Sequence, residues 1–133
     1  MVKRIFSNVT LNINNTPTAY VPNSLSFNEG LGEQSISTQS AGGGIVQTVY
    51  SNNVETNKSM VKFSIFAAGD ATANNIDTIK TWKLNGSANA ITISDTASGF
   101  TRTFQNMALV NSYDINLQDQ GKIEVEFQGD PAV

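Results

Sequence analysis

The sequence predicts a mainly β protein, a β-sandwich or barrel with one flanking α-helix, formed as a single domain over residues 1–133. Three observations lead to this fold class. Apolar and polar residues alternate along most of the chain, and a helical period occurs in one segment. Only 14% of the residues are charged, and Asn, Ser, Thr and Gln supply most of the polar surface. The length suffices to bury one core without disulfides.

The N-terminal quarter of the chain is predicted to form three extended runs. The first is a strand between Phe6 and Asn14, in which every second residue is apolar. Residues 14–17 carry a turn signal, because proline fixes φ and lacks a backbone donor. Shorter extended runs follow at residues 19–21 and 25–27. The apolar face of the first strand consists of Val9, Leu11 and Ile13.

The segment from Glu33 to Tyr50 is predicted to be a hairpin outside the core. Three glycines at 42–44 join two strand-like halves, and Ile36 is a lone large apolar residue among Ser, Thr and Gln in the first half. Both faces of such a strand would have to meet water or another polar surface. We therefore expect this hairpin to make contacts outside its own domain.

The charge pattern around this hairpin is one-sided. No Lys or Arg occurs between Arg4 and Lys58, whereas Glu29, Glu33 and Glu55 do. The hairpin is therefore expected to present a neutral to acidic surface.

The middle of the chain is predicted to contain a polar loop, a strand and the helix. The loop covers residues 51–57, and the strand after it has Val61, Phe63 and Ile65 on its inner face. Between residues 71 and 84 the apolar period changes to three or four, which predicts a helix. Its N-cap is predicted at Thr72, its end at Asn85-Gly86, and its inner stripe consists of Ala73, Ile76, Ile79 and Lys83, with Trp82 at the edge.

The C-terminal part is predicted to supply the remaining strands, for a total of seven or eight. Residues 91–94 and 100–104 alternate on either side of a turn at 95–99, as a hairpin does. Residues 111–121 show a mixed alternation around Tyr113, Ile115 and Leu117. The last strand, residues 122–128, is the clearest, and its inner row consists of Ile123, Val125 and Phe127.

The composition excludes several classes of function. The chain contains no Cys and no His, so disulfides, thiolate nucleophiles, the usual zinc ligands and the ordinary general base are missing. A net charge of -3 gives no broad attraction to nucleic acid or to an anionic membrane. No apolar signal core follows the N-terminal charges, and no apolar run approaches a membrane helix of roughly 20 residues. We therefore expect a non-enzymatic protein without metal or cofactor, made and kept inside a cell.

Two acidic motifs are better explained as structural features than as a catalytic or calcium-binding site. Glu124 and Glu126 could form a glycosidase-type carboxylate pair, but exposed charges alternating with a core row explain them better. Residues 114–118 resemble the start of a calcium loop. Asp119 stands where that loop requires glycine, and Val125 replaces the closing glutamate.

Two further motifs also favour a structural explanation. The glycines at 42–44 lack the Lys-Ser/Thr that a phosphate-binding loop requires directly after them. Trp82 could form a sugar platform with Phe66 or Tyr113. A helix must bury its apolar stripe, however, so we expect Trp82 to seat the helix on the sheet.

Several features occur in an order that extends over nearly the whole chain. They are the strand at residues 8–13, the turn Phe27–Glu33, the glycines at 42–44, the strand around Lys62–Ile65, the helix reaching Trp82 and the final strand at 123–127. Together they resemble tail tube proteins of contractile-tailed bacteriophages. The resemblance implies a small β subunit that pairs its strands with those of its neighbours and closes into hexameric rings. Such rings stack into a hollow tube for DNA.

The resemblance also implies roles for two segments. The polar hairpin would line the lumen and join subunits, and the loop after it would reach the next ring. The lumen positions are Glu33, Gln34, Ser35, Ile36, Ser37, Thr38, Gln39, Ile45, Gln47 and Val49. The inter-ring positions are Ser51, Asn52, Asn53, Glu55, Asn57 and Lys58.

The implied partners are further copies of the chain, together with sheath, baseplate and tape-measure proteins. DNA would be passing cargo, the site would be the tail of a virion, and assembly would take place in the host cytoplasm. DNA carries roughly one phosphate charge per 1.7 Å and binds clustered Lys and Arg. A lumen without such clusters would let the duplex slide.

Two alternatives remain open from the sequence. One is the tube of a non-contractile phage tail or of a bacterial injection apparatus, which would share the hairpin but differ in its outer surface. The other is a carbohydrate- or protein-binding β-sandwich with Trp82 or Tyr113 on an exposed groove.

Overall fold

The computed structural model of the chain describes residues 2, 3, 5–31, 34–52 and 57–132. These residues form a mainly β fold with one helix, as the sequence predicts, although the structure has nine strands instead of seven or eight. The elements are β1 (Val9–Ile13), β2 (Thr16–Thr18), β3 (Ser26–Asn28), β4 (Gln34–Gly42), β5 (Ile45–Asn52), β6 (Ser59–Phe66), α1 (Asn75–Leu84), β7 (Asn89–Asp95), β8 (Phe100–Leu109) and β9 (Lys122–Gly129).

Seven of the strands form one antiparallel sheet in the order β2-β1-β7-β8-β9-β6-β3. Strand β8 connects its two halves. From Phe100 to Met107 it pairs with β7, and at Ala108 and Leu109 it pairs with β9. The register shifts along the β7–β8 pair, and Asn106 in the affected part of β8 has a φ of 54°. Irregularities of this kind bend a strand, so the two halves can face each other as a sandwich. Among the described strands the sheet stays open, with β2 and β3 at its edges.

The core lies between the two halves of the sheet and the helix. Strands β1, β6 and β9 bury the faces that their alternation predicts, since apolar side chains at every second position point the same way. The buried apolar residues form one cluster. Its members are Leu11, Ile13, Val61, Phe63, Ile65, Ile79, Trp82, Ile91, Ile93, Phe104, Met107, Leu109, Ile123, Val125 and Phe127.

The helix begins later than the sequence predicts. Its N-cap is Asn74, whose side chain accepts a hydrogen bond of 2.7 Å from the backbone N–H of Asp77. The predicted cap, Thr72, instead donates its backbone N–H and its hydroxyl to Asp70 Oδ1, each at 2.8 Å. These bonds, together with the backbone N–H of Ala73, hold the pKa of the Asp70 carboxyl below its ordinary value.

The helix presents a narrower stripe to the core than predicted. Ile79 and Trp82 are buried, whereas Ala73 and Lys83 are exposed. Lys83 reaches back and donates from Nζ to the carbonyl oxygen of Leu109 at 2.8 Å. The helix ends as predicted, because Gly86 takes a φ of 61° directly after the C-cap.

Two connecting segments also differ from the prediction. The first turn is made by Asn14 and Asn15, with φ values of 53° and 63°, as a tight hairpin requires. The second strand therefore begins at Thr16 and includes Pro17, which an edge strand tolerates, and residues 19–21 form no strand. Residues 111–121 form no strand either.

Candidate assembly surface

Strands β4 and β5 form a sheet of their own, which we call the ribbon. In the part of the chain that the structure describes, these two strands pair only with each other. Every ribbon side chain described is exposed. Three glycines, Gly42, Gly43 and Gly44, connect the strands with φ values of 86°, 59° and 80°. The predicted hairpin is therefore confirmed, and it is left uncovered by the core.

The register of the ribbon divides its side chains between two faces, because residues that pair directly across the ladder share a face. On one face Ile36 lies opposite Tyr50, and Ser40 lies opposite Val46. Ile36, Val46 and Tyr50 are 70%, 65% and 58% exposed, so this face carries large apolar side chains in water. We call it the tyrosine face, and it consists of Ile36, Thr38, Ser40, Val46, Thr48 and Tyr50.

The opposite face is more polar. Gln39 and Gln47 pair across the ladder, and the Nε2 of Gln39 donates to the Oε1 of Gln47 at 2.9 Å. Ser35 pairs with Ser51 on the same side. We call this side the glutamine face, and it consists of Ser35, Ser37, Gln39, Ile45, Gln47, Val49 and Ser51.

The residues predicted for the lumen are therefore split between two directions. The structure places Ile36 and Thr38 on the tyrosine face and the others whose side chains it describes on the glutamine face. Glu33 lies outside the described residues. Val46 and Tyr50, which share the face of Ile36, were missed by the sequence-based prediction. The turn residues Gly43 and Gly44 indicate a hairpin, and a hairpin turn normally fixes which residues pair across the two strands. Here a register shift between Ser40 and Gly42 moves the pairing by one residue, so the turn alone gives the wrong faces.

The ribbon carries no charge between Gln34 and Asn52. Glu29, which precedes it, forms an ion pair with Arg102 on β8, so its carboxylate is already matched by a cation. Glu33 and Glu55 lie outside the described residues. The described surface is therefore neutral, and the acidic part of the prediction rests on those two residues.

The base of the ribbon is held by its own chain. Gly30 has a φ of 85°, and a Cβ at this position would lie 2.7 Å from backbone atoms of Lys58 and Ser59. Next to it, the Nδ2 of Asn57 donates to the carbonyl oxygen of Leu31 at 3.1 Å. The segment that enters the ribbon thus contacts the segment that leaves it.

The predicted inter-ring loop is shorter than expected. Ser51 and Asn52 belong to strand β5 and not to a loop, because the ladder continues to the pair between Gln34 and Asn52. Asn53 and Glu55 lie outside the described residues. Asn57 is half-buried at the ribbon base, and Lys58 is exposed.

A second apolar surface lies on the body of the domain. It is a groove of about 1080 Å³ between the segment before β1, the connection after β2, and β3. Aromatic rings form one wall: the centroid of Phe27 lies 5.6 Å from that of Phe104, and Phe6 lies 5.0 Å from Phe100. We call it the N-terminal groove. Every described residue that lines it is uncharged, and much of its surface is supplied by Phe6, Val9, Tyr20, Pro22, Leu25 and Phe27.

The structure provides no exposed tryptophan for sugar binding. Trp82 is 5% exposed, and its ring packs edge-on against Phe63 and Phe127 at 6.1 and 5.8 Å. It seats the helix on the sheet, as expected. Glu124 and Glu126 alternate with the buried row of β9, and Glu126 lies 3.9 Å from Lys62.

Within the described ranges, no cluster of acidic, His or Cys side chains is arranged to hold a metal ion. A helix long and apolar enough to cross a membrane is also not found in these ranges.

These features define a β-sandwich domain with one helix and an uncovered, uncharged ribbon. No protein-family model matches the chain, and no curated protein matches its sequence. Solved structures do match its fold. One is a chain from the cryo-EM structure of the sheath/tube terminator of PVC, an extracellular contractile injection system, in the extended state; it is 15% identical, with a TM-score of 0.61. The match covers 100% of this chain and 96% of the other.

Two further structures give the same result. A chain of the PVC sheath-tube complex in the extended state matches with a TM-score of 0.57 and 18% identity, over 98% of this chain and 88% of the other. A chain of the six-fold symmetrised baseplate of the anti-feeding prophage matches with a TM-score of 0.59 and 12% identity, over 100% of this chain and 96% of the other.

The fold is thus one found in components of contractile injection systems. The three matched structures are those of a sheath/tube terminator, a sheath-tube complex and a baseplate, and the likeness of this chain to them is one of fold.

Proposed function

We propose that this chain is the repeating subunit of a contractile tail tube of the bacteriophage type. Copies of it form hexameric rings, the rings stack into a hollow tube inside a contractile sheath, and DNA passes through the lumen. The observation that carries this proposal is the ribbon, a two-stranded sheet that the described core leaves uncovered.

The ribbon supports assembly because of its backbone. Each of its strands has an outer edge with N–H and C=O groups that no other described strand pairs with. Such an edge is a liability in a monomer, since it can pair with any other exposed strand. In a ring, β4 of one copy pairs with β5 of the next, and closure of the ring pairs both edges of every ribbon.

The charge of the ribbon supports a conduit for DNA. A wall that lacks Lys and Arg does not release counterions from the duplex and so does not hold it. The ribbon is uncharged from Gln34 to Asn52, and Glu29 is matched by Arg102. A duplex near the axis therefore meets a wall that neither binds it strongly nor repels it strongly.

The partners follow from the position of a tube in a tail. The ribbon pairs with copies of itself, and residues 51–58 contact the next ring. The outer surface meets sheath proteins, and the ends of the tube meet baseplate and tape-measure proteins. Hexameric rings agree with the six-fold symmetry stated for the anti-feeding prophage baseplate. The protein is assembled in the host cytoplasm and functions in the tail of the virion.

Electron microscopy of the purified protein tests the proposal. At high concentration, or with an initiating baseplate, we expect hollow tubes whose cross-section has six-fold symmetry. A protein that remains monomeric under both conditions would overturn the proposal.

A second candidate function is favoured by one of the structural matches. One matched structure is a sheath/tube terminator of an extracellular contractile injection system. A terminal component of such a system would also form rings, but growth would stop after the first ring. The same images separate the two functions, because a repeating subunit gives long tubes and a terminal component gives single rings.

A further inference from the structure

We propose that the tyrosine face of the ribbon of one copy packs into the N-terminal groove of the next copy. This inference rests on the proposed tube function and adds the contact that joins neighbouring subunits. The same contact determines where the glutamine face points. The glutamine face, with the hydrogen-bonded pair Gln39–Gln47, is left to line the lumen.

The two faces of the ribbon differ in how much apolar side chain they expose. Ile36 and Tyr50 lie directly opposite each other on the tyrosine face, and Val46 continues it toward the turn. All three are more than half exposed. Burial of apolar surface is favourable, so this face gains more from being covered than the other face does. The glutamine face carries less apolar surface, since Ile45 and Val49 are 61% and 42% exposed and it has no aromatic ring. Its other positions carry amides and hydroxyls, which remain satisfied in water.

The charge pattern identifies the occupant of the groove. No charged residue occurs between residues 5 and 28, which supply nearly all of the groove, and none occurs between 34 and 52, which form the ribbon. Contact between these two surfaces therefore buries no charge and avoids the cost of desolvating one. The longest uncharged stretches in the rest of the chain, residues 84–94 and 103–113, are shorter than the ribbon. Apart from residues 5–28 themselves, the ribbon is therefore the longest uncharged surface that a second copy offers to the groove.

Ring closure requires a contact of this type. In a ring each copy must offer one surface to the neighbour on its left and a different surface to the neighbour on its right. The ribbon and the groove are two such surfaces, since none of the ribbon residues whose side chains are described lines the groove of its own chain. The edge pairing of β4 with β5 proposed above is also a contact of this type, whereas face-to-face packing of two tyrosine faces would join two copies symmetrically and would not extend to a ring.

Cross-linking tests the contact directly, because the chain contains no cysteine besides those introduced. Thr48→Cys marks the tyrosine face, and Ser7→Cys and Ala19→Cys mark exposed positions of the groove. Tubes grown from a mixture of the Thr48→Cys variant with either groove variant should give covalent dimers with a short flexible bismaleimide. Tubes grown from a groove variant alone should give none, and tubes of Thr48→Cys alone give the background from edge pairing of neighbouring ribbons, whose β5 strands lie about 10 Å apart. Mixtures that give no more dimers than this background would overturn the proposal.

A pair of adjacent residues provides a matched charge test. Thr48→Glu places a carboxylate on the tyrosine face, and Gln47→Glu places one on the glutamine face. Both are exposed in the single chain, so both variants should fold with an unchanged circular dichroism spectrum. We expect tubes to be lost with Thr48→Glu and retained with Gln47→Glu. Loss with both, retention with both or the reverse order would overturn the assignment of the faces.

The two proposals fail in distinguishable ways. If the unmodified protein forms no tube, the proposed function is wrong. If it forms tubes but the cross-links or the charged variants give the contrary result, the function stands and the contact between ribbon and groove is wrong.

Discussion

The ribbon and the β6–β9 pair have similar backbones but different surroundings. Both are antiparallel pairs of strands of eight or nine residues. In β6 and β9 one face is buried, so Val61, Phe63 and Ile65 meet Val125 and Phe127 in the core. In the ribbon every described side chain is exposed. Strand pairing alone therefore does not determine the role of a hairpin; what covers its faces does.

This difference predicts that variants in the core strands affect stability, whereas variants in the ribbon affect assembly. Residues of β6 and β9 should control the free energy of unfolding, because their side chains leave water when the domain folds. Residues of the ribbon should control assembly, because their faces and edges are still in contact with water in the single chain. Variants in the two regions can show whether the separation holds.

The largest effect is expected for Ile36→Pro on tube growth. Proline lacks a backbone donor and disturbs the ribbon ladder, in which Ile36 pairs with Tyr50. We expect a monomer whose core stays folded, because Ile36 is not part of the core cluster, with the loss of stability confined to the ribbon. Tubes should be absent in electron micrographs. The matched control Ile36→Val retains the donor and should assemble, and normal tubes from the proline variant would place the intersubunit strand elsewhere.

The next effect is expected for Phe127→Ala on stability. The ring is fully buried and stacks on Phe63 with centroids 6.2 Å apart. Removing a buried aromatic ring costs about 3 to 5 kcal/mol, through lost burial and the cavity left behind. Urea unfolding followed by tryptophan fluorescence measures it, because Trp82 packs on the same ring. Ile36→Ala serves as the comparison and should cost about 0.5 kcal/mol or less.

If both alanine variants were equally destabilised, the ribbon would contribute to the same folded unit as the core. The proposed division between stability and assembly would then be wrong.

A smaller effect is expected where the ribbon joins the core. Gly30→Ala forces a side chain into a φ of 85° and places its Cβ 2.7 Å from the backbone at Lys58 and Ser59. We expect a loss of roughly 1 to 3 kcal/mol in unfolding free energy, because the positive φ is strained for alanine and the backbone at Lys58 and Ser59 must also move away from the Cβ. Gly43→Ala is the control, because its φ is also positive but nothing lies within 4 Å. A similar loss for both variants would mean that strain matters and the contact at the base does not.

The sequence predicted the core better than the ribbon for a physical reason. In β1, β6 and β9 one face is buried, so alternation of apolar residues reveals both the strand and its orientation. The ribbon has no buried face to mark its orientation. Its hairpin was predictable from the glycines, but a shift of one residue between Ser40 and Gly42 decides whether Ile36 shares a face with Tyr50 or with Val49.

The helix shows a similar limit at its start. Thr72 and Asn74 are both good capping residues, and the apolar period does not distinguish them. Asp70 decides between them in the structure, because it accepts hydrogen bonds from the backbone and hydroxyl of Thr72 and holds that residue in the preceding loop. The cap then falls on Asn74.

The smallest effect is expected at this cap, and it compares the predicted and the observed position directly. Asn74→Ala removes the side-chain acceptor for the N–H of Asp77 and should cost about 1 kcal/mol. Thr72→Ala leaves the helix cap intact and removes one exposed hydroxyl bond, so its cost should stay below about 0.5 kcal/mol. Urea unfolding of both variants measures the difference. A larger loss for Thr72→Ala would instead support Thr72 as the N-cap, the position that the sequence alone favours. The loop at Asp70 would then contribute more to helix stability than its exposed hydrogen bonds indicate.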